Sequence, residues 1–108
     1  MSITAEQTTI ERAAQALIEA VHAPAKVLLF GSHARGDAGK RSDFDFLVIE
    51  REVDDRFEEM ARLSWLLGRL LIPADVVVVS EPYAQRWGTV KGTLVHQALR
   101  EGRVVAES

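Results

Sequence analysis

The chain has 108 residues, with 13 Lys and Arg against 16 Asp and Glu, and it contains no cysteine. This length fits a single domain over residues 1–108, which can bury a core without disulfides or metal staples. A net charge of −3 gives no basic footprint for long nucleic acid, and the lack of cysteine excludes thiolate metal sites and thiol nucleophiles. The polar N-terminus and short apolar runs favour a cytoplasmic protein without membrane contact.

The chain opens with a predicted helix over residues 4–22. Its apolar residues recur at three- and four-residue spacing, which indicates one buried face. The helix could begin with a capping box at Thr4 or with one at Thr8, and the pattern does not decide between them. Pro24 blocks continuation of the helix, because its ring clashes with the preceding turn.

Two short strands follow, separated by a polar segment. The apolar run at 26–30 predicts a buried strand, and residues 33–36 could form one turn of helix. The Gly, Asp and Ser content of 37–42 predicts a loop. A second strand is expected over 44–49, with Asp43 at or just before its start.

A second long helix is predicted over 54–71, followed by a third strand. Asp54 or Asp55 could cap this helix, and Pro73 ends it. The near-continuous valines of 75–80 predict a strand buried on both faces, and we expect it to be central in the sheet. The expected apolar face of the helix consists of Phe57, Met60, Ala61, Leu67, Leu70 and Leu71.

The last third of the chain predicts a helical turn over 82–87, a helix ending at Gly102 and an edge strand over 104–106. Gly102 is expected to follow the helix as a left-handed C′ glycine. Helices and strands thus alternate in the order α-β-α-β-α-β. This order predicts an α/β fold, in which one sheet is covered by helices.

Three carboxylates are the candidate chemical groups. Asp43 and Asp45 are two residues apart on a strand, so their side chains should share one face with Cα atoms about 6.5–7 Å apart. Phe44 and Phe46 should then point to the opposite face, into the core. Asp75 begins what should be a neighbouring strand. Converging carboxylates repel one another, and a hard cation such as Mg²⁺ would relieve the repulsion and take phosphates as further ligands.

The turn at Gly31 and Ser32 is a candidate phosphate cradle. Glycine permits a sharp turn and a close approach between backbone and ligand. The N–H groups that open the following helical turn would face an anion, and the Ser32 hydroxyl adds a donor. Arg35, Lys40 or Arg41 could add charge-assisted contacts. A phosphate cradle opposite a carboxylate cluster is what phosphoryl or nucleotidyl transfer requires.

The Gly39-Lys40 pair raises the alternative of a P-loop. That motif requires Ser or Thr after the lysine, where this chain has Arg41. It also requires its first glycine at the position of Ala34. The P-loop interpretation therefore fails.

The segment GSHARG, followed by a short loop and SDFD, resembles the GSxxRG…SDxD signature of the polymerase-β-type nucleotidyltransferase superfamily. Asp75 in PADVVVV is similar to the third carboxylate of that family, which lies on a later strand. The small size resembles the minimal nucleotidyltransferase branch, and the resemblance covers roughly residues 25–80. It implies the nucleotidyltransferase fold, a small mixed β-sheet covered by helices that some schemes class as α+β.

The resemblance also implies roles for individual residues. Asp43 and Asp45 would hold two Mg²⁺ ions, while Asp75 would join one metal and help to activate the attacking hydroxyl. The substrate would be a nucleoside triphosphate, with ATP expected. The implied nucleotide-binding residues are Gly31, Ser32, Arg35 and Ser42, of which the first two would hold the terminal phosphates.

Minimal members of this family often act with a separate helical HEPN partner, as antitoxins that transfer AMP to a tyrosine of a toxin ribonuclease. The resemblance therefore implies Mg-dependent transfer of AMP to a hydroxyl of a partner protein. One alternative is transfer to a small molecule such as an aminoglycoside, for which a homodimer could build the acceptor site. Another is a non-catalytic antitoxin that acts by binding alone.

Structural roles are open for several of these residues. Asp75 could simply begin a strand, and Arg35 could brace the loop instead of contacting phosphate. We expect His33 to be a surface or supporting residue and not a general base. Trp65 and Trp87 are interpreted as packing residues.

Overall fold

The computed structural model describes residues 4–22, 24–39 and 41–108. The elements are α1 (Ala5–Ala20), β1 (Ala25–Phe30), α2 (Ser32–Arg35), β2 (Phe44–Glu50), α3 (Arg56–Arg69), β3 (Ala74–Ser80), α4 (Glu81–Trp87), α5 (Leu94–Glu101) and β4 (Arg103–Glu107). The predicted α/β class is confirmed, and the two predicted helical turns are the short helices α2 and α4. The predicted order α-β-α-β-α-β describes the chain only as far as β3, because α4, α5 and β4 follow it. None of the helices in the described ranges is long and apolar enough to cross a membrane.

The four strands form one mixed sheet in the order β3-β2-β1-β4. β1 pairs antiparallel with both β2 and β4, whereas β2 pairs parallel with β3 through the crossover helix α3. The predicted edge position of the last strand is confirmed. The predicted central position of the valine strand is wrong, because β3 is the other edge. Its valines are explained by helices on both faces of the sheet, which bury a strand even at an edge.

Helices cover both faces of the sheet, and the sheet separates the core into two clusters. One cluster joins α1 and α3 to the strand residues that include Phe44, Phe46 and Val76. The other joins α4 and α5 to the opposite face, which includes Leu47 and Val79. Because strand side chains alternate between faces, the predicted inward orientation of the two phenylalanines is confirmed.

The boundaries of the helices follow local capping signals. The Thr4 capping box is present at the start of α1, where the Gln7 N–H donates to Thr4 Oγ1 over 3.0 Å. Asp55 caps α3 and accepts a hydrogen bond from the Glu58 N–H at 3.0 Å. Thr93 caps α5 in the same way through the His96 N–H at 3.1 Å.

The expected apolar face of α3 is partly wrong. Leu67 is buried as predicted, and Leu63, which the pattern missed, is fully buried with it. Phe57 and Leu71 are 75% and 89% exposed. Trp65, interpreted as a packing residue, is 64% exposed and lies against the Arg69 guanidinium. The packed face of α3 consists of Met60, Leu63 and Leu67, continued by Leu70 at the C-cap, so Phe57 and Ala61 lie outside it, and Leu71 follows the end of the helix.

Gly102 ends α5 for a reason different from the predicted one. Its φ is −83°, outside the left-handed region. A Cβ atom at this position would lie 2.8 Å from the Leu29 carbonyl oxygen and 3.3 Å from Phe30 Cβ. Glycine is therefore required because the end of α5 packs directly against the backbone of β1.

Candidate active site

The candidate site lies at one end of the sheet, where three strand termini meet. β2 and β3 run parallel and begin there, with Asp45 directly opposite Asp75. β1 runs antiparallel and ends there, with Phe30 opposite Asp45 and Gly31 immediately after it. The predicted neighbouring positions of these carboxylates on two strands are confirmed, at the roughly 4.8 Å spacing of paired strands.

The side chain of Asp45 continues the sheet face that α4 and α5 cover farther along β2. Asp45 is partly buried, whereas Asp43 and Asp75 are exposed. Burial raises the pKa of Asp45 above its usual value, and the charges of Asp75 and Asp43 raise it further. His33 and Arg35 act in the opposite direction. The three predicted carboxylates are thus close enough to repel at Asp45.

Gly31 lies directly against the Asp45 side chain. This glycine is buried and has a φ of +76°, in the region that side chains disfavour. A Cβ atom there would meet Asp45 Oδ2 and lie 3.0 Å from its Cγ atom. The sequence predicted a glycine for a sharp turn and a close approach, and in the structure the close neighbour is this carboxylate.

The turn after β1 continues directly into α2. The N–H groups of Ala34 and Arg35 donate to the Gly31 carbonyl at 3.1 and 3.0 Å. The N–H groups of Ser32 and His33 come before the first intrahelical bond and have no intrahelical acceptor. Among the described residues neither N–H donates a hydrogen bond, and the Ser32 side chain beside them is partly exposed.

Arg35 braces the turn, which is one of the two roles that the sequence left open for it. Its Nε atom donates to Asp37 Oδ2 at 3.1 Å, and its Nη1 atom donates to Glu101 Oε1 at 3.0 Å. The hydrogen bond to Asp37, followed by that to Glu101, raises the pKa of the guanidinium. Glu101 comes from the end of α5 and was not singled out in the sequence, since no local pattern connects it with Gly31.

His33 and Ser42 close the polar loop. The His33 Nε2 atom lies 3.0 Å from the Ser42 carbonyl oxygen, so it carries the proton and donates. The imidazole stacks on the Phe44 ring at a centroid distance of 4.0 Å, which supports the expected structural role of His33. The Ser42 hydroxyl accepts from the Gly39 N–H at 2.9 Å. Lys40, another candidate anion contact, lies outside the described residues.

The donor chemistry of this sheet end fits a hard divalent cation. Asp43, Asp45 and Asp75 offer only carboxylate oxygens, and the mutual repulsion at Asp45 is what a cation would relieve. Within residues 4–22, 24–39 and 41–108, however, no three His, Cys, Asp or Glu side chains already surround one point as metal ligands. The metal-binding roles of the three aspartates therefore stay predictions.

A second acidic cluster lies at the far end of β2 and was missed in the sequence. Glu50 is only 2% exposed, and its Oε2 atom has no hydrogen-bond partner among the described residues. Burial and the neighbouring Glu59 raise the pKa of Glu50 to about 7. Arg62 binds Glu59 through Nε at 2.8 Å and Nη2 at 2.9 Å, and it lowers the pKa of that carboxyl.

Comparison with known sequences and structures gives a family and a fold. A family model described as a nucleotidyltransferase domain matches residues 10–101 of the chain. A search of curated proteins finds no match. A putative nucleotidyltransferase from Sulfolobus solfataricus is similar in structure, with a TM-score of 0.58 and 19% identity over 93% of this chain and 78% of that one.

Two complexes of toxins with antitoxins also contain similar chains. One is a toxin–antitoxin with AMP-PNP, whose TM-score is 0.56 at 20% identity over 94% of this chain and 73% of that one. The other is a tri-AMPylated HEPN toxin of Shewanella oneidensis in complex with MNT antitoxin. Its TM-score is 0.56 at 19% identity over 95% of this chain and 73% of that one. Identities this low show a shared fold.

Proposed function

The chain belongs to the nucleotidyltransferase domain family, and we propose that it transfers AMP from ATP to a hydroxyl group of a partner protein. The observation that carries this proposal is the placement of Asp45 between Asp75 on the next strand and Gly31 in the turn. This placement sets a carboxylate cluster beside a backbone turn with free N–H groups. Both halves of a nucleotidyl-transfer site are then within reach of one triphosphate.

The proposed reaction forms one bond and breaks one. The acceptor hydroxyl oxygen attacks the α-phosphorus of ATP, and the bond from that phosphorus to the α,β-bridging oxygen breaks. Pyrophosphate leaves with the bonding electron pair, and AMP remains on the acceptor oxygen. Asp75, which is exposed at the start of β3, orients the hydroxyl and accepts its proton before releasing it to solvent.

The remaining residues bind and orient the triphosphate. Ser32, through its hydroxyl and N–H, contacts the terminal phosphates, while Gly31 allows the turn to lie against Asp45. Asp43, Asp45 and Asp75 would hold two Mg²⁺ ions, which supply charge neutralisation at the phosphates when bound. Ser42 supports the loop between the two halves through its bonds to Gly39 and His33.

The proposed acceptor is a tyrosine of a helical HEPN-type protein. The proposal draws on the minimal-nucleotidyltransferase resemblance of the signature and on the fold shared with an antitoxin bound to an AMPylated HEPN toxin. Transfer to a small molecule has no comparable support in the structure.

The test uses the purified chain, Mg²⁺ and a co-expressed HEPN-type helical protein, which would first be sought in the adjacent reading frame. ATP labelled at the α-phosphate should label a tyrosine of that protein, whereas γ-labelled ATP should release labelled pyrophosphate only. Asp43→Asn and Asp45→Asn should abolish labelling, and Asp54→Asn, an exposed aspartate in another loop, should retain it.

The contrary outcomes separate the rival functions. Toxin neutralisation that survives both site substitutions would replace the transferase proposal with binding alone. If the label appears on an added aminoglycoside and not on the partner protein, the acceptor is a small molecule and the proposed protein acceptor is wrong. Calorimetry with Mg²⁺ and a non-hydrolysable ATP analogue should show metal-dependent binding that Asp45→Asn weakens, and binding without metal dependence would overturn the mechanism.

A further inference from the structure

The carboxylate of Glu101 reaches the candidate site from the C-terminal end of α5. The next residue, Gly102, lies so close to β1 that a Cβ atom would be 2.8 Å from the Leu29 carbonyl oxygen. This close packing places Glu101 beside Gly31, although 70 residues separate them in the chain. The side chain of Glu101 is 18% exposed, so it is largely enclosed by its neighbours.

Three donors converge on one oxygen of this carboxylate. Oε1 accepts from the Gly31 N–H at 3.0 Å, from Arg35 Nη1 at 3.0 Å and from Gln97 Nε2 at 3.3 Å. The second oxygen, Oε2, accepts from Arg35 Nη1 at 3.2 Å. Hydrogen bonds to a charged acceptor are about twice as strong as neutral ones, so Glu101 holds the turn and the arginine together.

We infer that Glu101 is a positioning residue of the proposed nucleotide site, an inference that rests on the proposed function. The Gly31 N–H belongs to the Phe30–Gly31 peptide, and its bond to Glu101 fixes that plane, about which a glycine could otherwise rotate. On the other side of Gly31 its carbonyl accepts from the Ala34 and Arg35 N–H groups. These bonds together hold Gly31 at its φ of +76° and so set the directions of the Ser32 and His33 N–H groups. Gly31 therefore contributes its backbone conformation to the phosphate site, while Ser32 and His33 supply the N–H donors.

The charges around the site argue that Glu101 stays in place when nucleotide binds. Displacement by a phosphate would leave a largely enclosed carboxylate without its donors, next to a turn that already faces Asp45. An unpaired buried charge of this kind is strongly unfavourable. Arg35, which is bound by both Glu101 and Asp37, is likewise a brace for the turn.

The experiment compares Glu101→Ala and Glu101→Gln with Glu11→Gln, which removes one exposed carboxylate from α1. Amide hydrogen exchange of Gly31, followed by NMR in the whole chain, should be at least tenfold faster in Glu101→Ala. The glutamine oxygen can still accept from the Gly31 N–H, so Glu101→Gln should restore most of the protection. With ATP as substrate, kcat should fall about tenfold for alanine and less for glutamine, with a smaller change in KM.

Three results would overturn the inference. They are a Gly31 exchange rate in Glu101→Ala equal to that of the Glu11→Gln control, an unchanged kcat, and tighter binding of a non-hydrolysable ATP analogue by Glu101→Gln. The last would show that Glu101 competes with the nucleotide. If the alanine variant does not fold, Glu101→Asp, which keeps the charge but shortens the reach, should give the same acceleration of exchange. A wild-type chain without transfer activity would count against the proposed function, and the exchange rates would still decide the role of Glu101.

Discussion

Strand β2 carries a carboxylate with a raised pKa near each of its ends, and the two differ in their surroundings. Asp45 near the first end is partly buried and has Asp75, Asp43 and the Gly31 turn as neighbours. Glu50 at the other end is 2% exposed and has Glu59 beside it. For both carboxyls burial is the largest cause of the raised pKa.

The difference between the two ends shows that a raised pKa alone does not mark a site. At Asp45 the neighbouring carboxylates are exposed, so a cation and a phosphate can approach them. At Glu50 the neighbouring Glu59 already has a cationic partner, Arg62. We therefore expect Asp45 to determine activity and Glu50 to determine the pH dependence of stability.

The largest expected effect follows from neutralising Asp45. Asp45→Asn should lower AMP transfer by at least about a thousandfold, because the substitution removes a proposed metal ligand, and this loss corresponds to about 4 kcal/mol in the barrier. Its stability should not fall and should rise slightly, since the substitution removes a partly buried charge and its repulsion from Asp75 and Asp43. Glu50→Gln should keep wild-type transfer rates. Comparable losses of activity in both variants would contradict the assignment of chemistry to one end of β2.

A second prediction tests the contact between the turn and Asp45. Gly31→Ala should lower transfer about a hundredfold, because its Cβ atom displaces the Asp45 carboxylate, and such a loss corresponds to about 3 kcal/mol. Gly36→Ala is the matched control, because Gly36 also has a positive φ, +84°, but has open space around its Cβ position. Gly36→Ala should lose about 1 kcal/mol of stability from its left-handed backbone, and Gly31→Ala about 2–3 kcal/mol, because φ +76° with ψ −157° is a conformation that glycine alone adopts readily. Equal loss of activity in the two would show that strain, and not the contact with Asp45, matters.

The smallest predicted effect concerns the other end of β2. Because the pKa of Glu50 rises from 4.5 to about 7 on folding, protonated Glu50 stabilises the folded state fully below pH 4.5. That stabilisation is lost as the pH rises through 7. The free energy of unfolding of the wild type, measured with urea, should therefore fall by on the order of 2 kcal/mol between pH 5.5 and 8.

Glu59 does not add to this slope, since its lowered pKa keeps it ionised throughout that window. Glu50→Gln should flatten the slope, and Glu52→Gln, a change at an exposed neighbour, should leave it as in the wild type. A slope that persists in Glu50→Gln would assign the pH dependence to another group.

Local patterns were enough to predict much of the fold and of the site. The alternation of Asp43, Phe44, Asp45 and Phe46 gave the two faces of β2 correctly, because side chains of a strand alternate with a period of two. The caps of α1 and α3 were each narrowed to two candidates, which included Thr4 and Asp55, because a cap involves residues three positions apart. The conformation of Gly31 followed from the turn that must separate two strands.

Other features depend on contacts that no local pattern contains. The edge position of β3 follows from the parallel crossover through α3, and valines look alike in a central strand and in a covered edge strand. The exposure of Phe57 depends on which face of α3 packs against the core, and that of Leu71 on the end of the helix at Arg69. The raised pKa of Glu50 comes first from its burial in the folded core and then from Glu59, which α3 brings beside it.

The sequence by itself determined that four candidate groups lie near one another, because Gly31, Ser32, Asp43 and Asp45 fall within one strand–turn–strand unit. The tertiary structure alone decided which groups support them. Asp75 comes beside Asp45 through the register of two parallel strands, and Glu101 comes beside Gly31 through the packing of α5 on β1. Both contacts join residues far apart in the chain, and they form only when helices and sheet bury their apolar faces together.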